Sequence, residues 1–522
     1  MSFITGHGML VFPASDPIAV RSVLPHAKSL EYRGRPHIAV RHDLDAVTIL
    51  RNIGINAPSP VNHGWDYPGR YKPFDHQRAT VEFLTVNRRA FVLSGMGSGK
   101  SAAALWATEY LRLHKMVDKV VIVCPKSCTH KVWEDEIFNT LMHRRAVVIE
   151  GGRERKLELA ASDADFLIVN HDGLATISHV LAKDPRVTLY IYDEASAIRN
   201  SMTNRYKTLK SLLKPATRLW LLTATPCPNQ PTDAWALARL VRPETVPPYF
   251  LAFKRQTMIQ VSNFKWVPKP EATQMAYTAM QPAIRFRTED CIDLPPVTYQ
   301  NRACELSPEQ HRMMEQMRKH LVADNDGATI TAANAAVKLI KILQLAQGAV
   351  YDDTGETQLV QAPDRLATLK EIIEEADHKV IVWCPFKHVM KHLKTELSKT
   401  WGVEMINGDT SAGDRTRIIS AFQQVDQDPK VLIAHPATAA HGLTLVSANI
   451  CVWYGPTFSS EMYEQANARV ARPGQKHHMT VIHLGSVGVE WDAYGVAASK
   501  IDRQKKVLDL YRKVLDSPAS VV

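Results

Sequence analysis

The chain has 522 residues, 45% hydrophobic and 22% charged, the composition of a soluble globular protein too long for one ordinary hydrophobic core, so two or three domains are expected. Lysine and arginine exceed aspartate and glutamate by 63 to 53, a formal charge of +10 that permits an anionic partner without identifying one, because no run of like charges concentrates the excess. No window reaches the ~18 uninterrupted apolar residues of a membrane span, and the N-terminus lacks the basic start and long apolar core of a signal peptide, so a cytoplasmic protein is expected.

Residues 1–70 hold two apolar patches, Met9–Phe12 and His37–Val40, that read as short strands, and Asp43–Asn52 with helical spacing; a small α+β module is expected. A proline-rich stretch with Trp65 and Tyr67 embedded then runs from Ala57 to Pro73 and predicts a hinge. Across 71–242 short, nearly continuous apolar runs alternate with helical segments: Ala90–Leu93, Val120–Val123, Phe166–Val169, Leu189–Tyr192 and Leu219–Leu222. Strands buried on both faces of a parallel sheet read this way. A second series, Val380–Trp383, Val431–Ala434, Ile450–Trp453 and Thr480–Leu484, marks a second α/β lobe over 365–495. Residues 243–364 between the lobes are mostly helical in pattern, as in Ser307–Leu321 and Ala332–Ala346, and 496–522 predict a C-terminal helix. Seven cysteines, at 124, 128, 227, 291, 304, 384 and 451, form no C-x-x-C pair, so reduced thiols are expected rather than a disulfide framework or zinc ribbon.

Ser94-Gly95-Met96-Gly97-Ser98-Gly99-Lys100-Ser101 follows the first strand of the first lobe and opens a helix, the setting a phosphate-binding loop requires. Its glycines let backbone N–H groups turn inward around phosphate oxygens, and the helix N-terminus adds its dipole. Lys100 would reach the β- and γ-phosphates of ATP and the Ser101 hydroxyl would ligate Mg2+. A strict Walker pattern has glycine where Ser94 stands.

Asp193 and Glu194 end a strand, at the sheet edge where parallel sheets place ligands. Asp193 would hold magnesium, and Glu194 would orient and deprotonate the attacking water. Gln77, just ahead of the first lobe, would read an adenine edge through its amide. Far downstream, Gln465 to Gln475 carries Arg469 and Arg472, three residues apart and on one face if that segment is helical. Forked guanidinium groups suit the charge that develops on a transferring phosphoryl group. Trp133 and Trp235 read as core residues of amphipathic helices.

The order of these parts resembles superfamily-two helicases, and within them the Swi/Snf-type DNA translocases. The resemblance runs from about residue 71 to 495 through Phe74–Gln77, the phosphate loop, Cys124-Pro-Lys-Ser127, Asp193–Asn200, Leu222–Pro226, Asn407–Asp409, Gly442–Leu445 and Gln465–Gln475. Ile284–Arg287 and Asp293–Pro296 are similar as well, and compact phage or bacterial relatives of HARP-type annealing helicases look nearest. The resemblance implies two tandem RecA-like lobes with helical protrusions between them and ATP at their junction, Gly442 included in its site and Arg469 and Arg472 supplied across it. It places nucleic-acid backbone at Lys126, Ser127, Asn170, His171, Thr225, His441 and Thr444. Ser196 stands where the family's box usually has histidine, and Thr223-Ala-Thr225 is closer to general helicases.

The expected function is an ATP-driven translocase, a monomer acting on duplex or branched DNA with little sequence preference. Two alternatives stay open: a strand-separating helicase acting on single-stranded DNA or RNA, and a DNA-binding scaffold that does not hydrolyse ATP.

Overall fold

Apolar runs flanked by helices assemble into parallel sheets because both sheet faces must be covered. The computed structural model describes residues 4–498 apart from positions 7, 14, 15, 96, 225, 226, 228, 229, 263, 264, 287–294, 324–331, 352–356, 426, 440–443, 458 and 473. The expected C-terminal helix lies almost wholly outside the described residues. The chain forms two compact units that divide near residue 291.

The first unit begins with an antiparallel sheet of β1 (Ile4–Gly6), β2 (Met9–Pro13), β3 (Lys28–Tyr32) and β4 (Arg35–Arg41), in the order β1-β2-β4-β3. Helices α1 (Pro17–Val23) and α2 (Leu44–Asn52) accompany it. Asp16 and Asp43 cap the two helices, each carboxylate accepting from first-turn amides. Leu10, Phe12, Ile38, Val40, Val47 and Leu50 form the module's own core.

The stretch from Ala57 to Pro73, expected as a hinge, is a packed strap. Val61 joins the core of the following lobe, and Trp65 and Tyr67 pack against it. Tyr67 meets Trp106 edge-on at 5.6 Å, and Trp106 Nε1 donates to Pro68 O at 2.9 Å. Arg51 and Asn62 both donate to the Glu82 carboxylate. Proline-rich punctuation limits backbone conformation, but the embedded aromatics bury area, and burial wins.

The main sheet of this unit comprises β5 (Arg89–Val92), β6 (Lys119–Cys124), β7 (Ala146–Ile149), β8 (Phe166–Asn170), β9 (Val187–Asp193), β10 (Arg218–Leu222) and, beyond the hairpin β11 (Met258–Ser262) and β12 (Lys265–Pro268), β13 (Ala283–Ile284). Its order is β13-β5-β10-β9-β6-β8-β7, all parallel. Helix α3 (Asp75–Val86) precedes β5, and α4 (Lys100–Leu113) follows the phosphate loop. β13 belongs to a stretch expected to be helical and separate from the lobes; a two-residue strand has no periodicity to detect. Its extension is bonded to the β5 edge by Phe91 N–H to Pro282 O, Leu93 N–H to Ile284 O and Gly95 N–H to Phe286 O.

The second unit carries β14 (Val297–Ala303), a small hairpin of β15 (Ala349–Tyr351) and β16 (Thr357–Leu359), then β17 (Lys379–Trp383), β18 (Val403–Ile406), β19 (Val431–Ala434), β20 (Ala448–Trp453) and β21 (Met479–Gly485). Its six-stranded parallel sheet runs β14-β21-β20-β17-β19-β18. The expected helices of the middle region form at Pro308–Ala323 and Ala332–Ala346. β14 and β18, edge strands with no apolar run to announce them, carry polar residues because one side of an edge faces water. Among the described residues no cysteine is in a disulfide, and Cys291 lies outside them.

Candidate nucleotide site

Parallel pairing sets the site. Leu222 of β10 lies opposite Val92 of β5 on one side and Asp193 of β9 on the other. Val123 of β6 lies opposite Tyr192, and Cys124 opposite Asn170 of β8. The phosphate loop, the acidic pair, Lys126–Ser127 and Asn170–His171 therefore leave one sheet at a common carboxyl edge, where α/β folds bind ligands.

The phosphate loop takes the backbone that its glycines permit. Gly97 and Gly99 have φ of 74° and 72°, and α4 starts directly after Gly99. Lys100 Nζ donates to Ser94 O and Gly95 O, each at 2.9 Å, and Ser98 Oγ donates to Gly95 O. The unexpected Ser94 is buried, and its hydroxyl accepts from Phe286 N–H at 3.2 Å, tying the loop to the β13 extension. Gln77 Oε1 accepts from Phe74 N–H, leaving its amide nitrogen toward Ser98 O at 3.4 Å. His76 sits beside it, with Nε2 at 2.9 Å from Ser98 O. Met96 lies outside the described residues.

Asp193 closes β9. Its Oδ1 accepts from Glu194 N–H and its Oδ2 from Trp133 Nε1, both at 3.0 Å. Glu194 holds left-handed backbone, φ 51° and ψ 58°, a conformation costly for a residue with a Cβ. His171, expected at nucleic-acid backbone, points Nε2 at Asp193 O at 2.9 Å and stacks on Tyr192 at 4.9 Å. Lys126 is exposed in a 3-10 turn, Ser127 contacts Cys128 Sγ, and Asn170 is half-buried. Thr223 is buried, and Ser196 is buried in the 3-10 turn Ala195–Ile198. Burial, with the Asp193 charge nearby, pushes the Cys124 thiol well up and leaves it no nucleophile.

The oxygen-only set of Ser101 hydroxyl and Asp193 carboxylate fits Mg2+. The Asp193 carboxylate is already oriented by two donors, Glu194 N–H and Trp133 Nε1. Among the described residues no cluster of three or more His, Cys, Asp or Glu could hold a metal alone.

In the second unit the condition for Arg469 and Arg472 to share one helical face is not met. The helix Ser460–Asn467 ends before them, and they lie on successive turns instead. Beyond them the buried Gln475 donates its Nε2 to Ala448 O at 2.8 Å and Val470 O at 3.4 Å. Arg469 is buried, while Arg472 Nη1 donates to the Thr444 hydroxyl at 3.1 Å. Gln465, on the helix, is buried and donates to Glu461. His441, Gly442 and Thr225 lie outside the described residues.

Three residues near these groups are not legible as functional in the sequence. Trp133 reads there only as core, and Phe286 and Gln475 carry no separate expectation. For Trp133 the available signal is its indole N–H, which seeks an acceptor when buried.

Comparison with known proteins matches the SNF2-related domain over residues 76–349, more than half of the chain, and the helicase conserved C-terminal domain over 364–474. The chain belongs to the SNF2-related family. It is an ATP-hydrolysing enzyme built on two α/β lobes. Protein p41 of Acyrthosiphon pisum secondary endosymbiont phage 1 is 25% identical over 462 residues, covering 84% of this chain and 98% of its own length. The SWI/SNF-related matrix-associated actin-dependent regulator of chromatin subfamily A-like protein 1 of Xenopus tropicalis is 25% identical over 425 residues, 80% of this chain but 43% of that protein. The chain thus spans nearly all of the phage relative and under half of the frog one. Among solved structures, the Sulfolobus solfataricus SWI2/SNF2 ATPase core in complex with dsDNA aligns at TM-score 0.39 and 22% identity, over 86% of this chain and 98% of that one. No helix among the described residues is long and apolar enough to cross a membrane.

Proposed function

We propose that this chain is an ATP-dependent translocase on DNA that remodels or reanneals branched or duplex DNA, acting as a monomer in the cytoplasm. The observation that carries this reading is the common carboxyl edge of one sheet. It gathers the phosphate loop, the acidic pair and two further chain segments, Lys126–Ser127 and Asn170–His171, that lie apart from the phosphate loop.

ATP lies on the phosphate loop, its adenine at Gln77 and its β- and γ-phosphates at Lys100. Ser101 and Asp193 hold Mg2+, which neutralises phosphate charge when bound. Glu194 orients the attacking water and takes its proton. Arg469 and Arg472, with Gln465, are the second lobe's catalytic residues and meet charge that develops on the transferring group, and Gly442 binds nucleotide. Lys126, Ser127, Asn170, His171, Thr225, His441 and Thr444 lie along the nucleic acid. Phosphate contacts position the protein without reading bases, so binding weakens steeply with salt and tolerates sequence.

ATPase rates with duplex, forked and single-stranded DNA and with RNA test the reading, alongside annealing and branch migration of labelled forks. Stimulation by duplex or forked DNA is expected, lost in Lys100→Ala and Glu194→Gln. Stimulation by single strands alone with strong unwinding supports a strand-separating helicase instead. Turnover indifferent to nucleic acid overturns both readings.

A further inference from the structure

Trp133 is fully buried, yet it directs its one polar atom at the carboxylate expected to hold magnesium. The cause is local. Between the 3-10 turn Lys126–Cys128 and the helix Asp135–Thr140, residues Thr129–Glu134 form a π-helical turn. A π turn takes in an extra residue and rotates later side chains relative to an α-helix, and such turns concentrate at functional sites. Here the rotated side chain is Trp133, packed in the lobe core with Cys124, Cys128 and Ile137, with Nε1 at 3.0 Å from Asp193 Oδ2.

A second connection reaches the same residue. His171 N–H donates to Cys124 O, and the ring places Nε2 at 2.9 Å from Asp193 O. Each segment proposed to touch nucleic acid, 126–127 and 170–171, thus leads to a hydrogen bond to Asp193, one at its carboxylate and one at its carbonyl. The carboxylate bond is the more consequential, because it sets the rotamer of a metal-holding group. A charge-assisted bond from a fully buried indole holds that rotamer firmly.

We propose that Trp133 is a positioning residue for Asp193: its indole N–H sets the carboxylate for Mg2+ and ties the acidic pair to the chain segment beginning at Lys126. This deepens the ATP-dependent translocase reading and rests on it. A displacement of the 126–134 segment by bound DNA would reach Asp193 through one rigid ring, without an intervening flexible side chain. The bond asks nothing of Trp133 as acid, base or ligand.

The test uses the full chain with Trp133→Phe and, in a second variant, benzothienylalanine at position 133, which puts sulfur in place of the indole N–H at nearly constant shape. The second variant keeps the question answerable where phenylalanine disturbs folding. The first readout involves no turnover: the Mg2+ concentration giving half-maximal binding of a fluorescent ADP analogue. It should rise about 10-fold, as for loss of a group that orients a metal ligand, while binding of the analogue without Mg2+ stays within about twofold. The second is the ratio of DNA-stimulated to unstimulated ATPase, which should fall, with the Kd for duplex DNA within about twofold. An unchanged Mg2+ requirement in the benzothienylalanine variant overturns the positioning role. An equal loss of ATPase with and without DNA overturns the tie to the 126–134 segment. Failure of the translocase reading is separable: the unaltered chain then binds Mg2+ and nucleotide but shows no response to DNA, while the Mg2+ arm still decides what Trp133 does.

Discussion

Gln77 lies directly over Gly99, so near that a Cβ built at residue 99 would overlap the Gln77 amide nitrogen. Gly99 also holds φ of 72°, which a residue with a side chain adopts at a cost. Both constraints meet at the last residue of the phosphate loop before α4. Gly99→Ala should therefore move Gln77 and distort the loop together. Affinity for a fluorescent ADP analogue should drop at least about tenfold, with a thermal midpoint only a few degrees lower. An alanine variant binding as tightly as the unaltered chain would remove the loop from the nucleotide site.

Arg469 and Arg472 should separate binding from chemistry. Arginines that meet only the charge of a transition state raise kcat without tightening nucleotide binding. Arg469→Ala and Arg472→Ala are each expected to lower DNA-stimulated kcat by about 10³, with ADP affinity within about threefold. Lysine should rescue little, since it lacks the planar fork. Single-turnover hydrolysis and equilibrium ADP binding on the same preparations check this.

Inside the second unit, Arg365 and Glu490 form a fully buried ion pair, and the guanidinium also donates to Tyr454 O and Ser486 Oγ. Removing one partner strands the other charge. Arg365→Met alone should cost about 3–5 kcal/mol of stability. Arg365→Met with Glu490→Leu should cost distinctly less, because both desolvation penalties go together. Chemical denaturation of the three forms measures the difference.

His483 is buried against Tyr463 and Asn301, and burial pulls its pKa down to about 4. The unfolded chain takes up this proton near pH 6.5, before the folded one does. Stability from the neutral ring is thus complete above about pH 6.5 and lost as pH falls toward 4, up to about 3 kcal/mol. Unfolding followed from pH 7.5 to 4.5 should show His483→Gln losing less stability than the unaltered chain. Parallel pH curves for the two proteins would refute the assignment.

The buried strands were legible because each carries apolar side chains on both faces: β5, β6, β8, β9 and β10 in the first sheet, and β17, β19, β20 and β21 in the second. Edge strands were not. β14 and β18 are partly solvated and read as mixed sequence, β7 is a four-residue apolar run absent from the expected strands, and β13 is too short to show a pattern. Ala57–Pro73 misled in the opposite sense, because proline signals a break in regular structure and says nothing about what Trp65 and Tyr67 pack against.

The phosphate loop, the acidic pair and their order along the chain were determined by sequence alone, since each function needs particular residue types within a few positions. Tertiary structure decided what lies far apart in sequence: Ser94 bonded to Phe286, Arg472 to Thr444, and Trp133 aimed at Asp193. It also ended a helix at Asn467, before Arg469, that local spacing would have continued. Hydrophobic periodicity reports which face of a segment is buried. The direction of a single hydrogen bond across strands depends on parallel register and on one π-helical turn, and neither leaves a periodic trace in the chain.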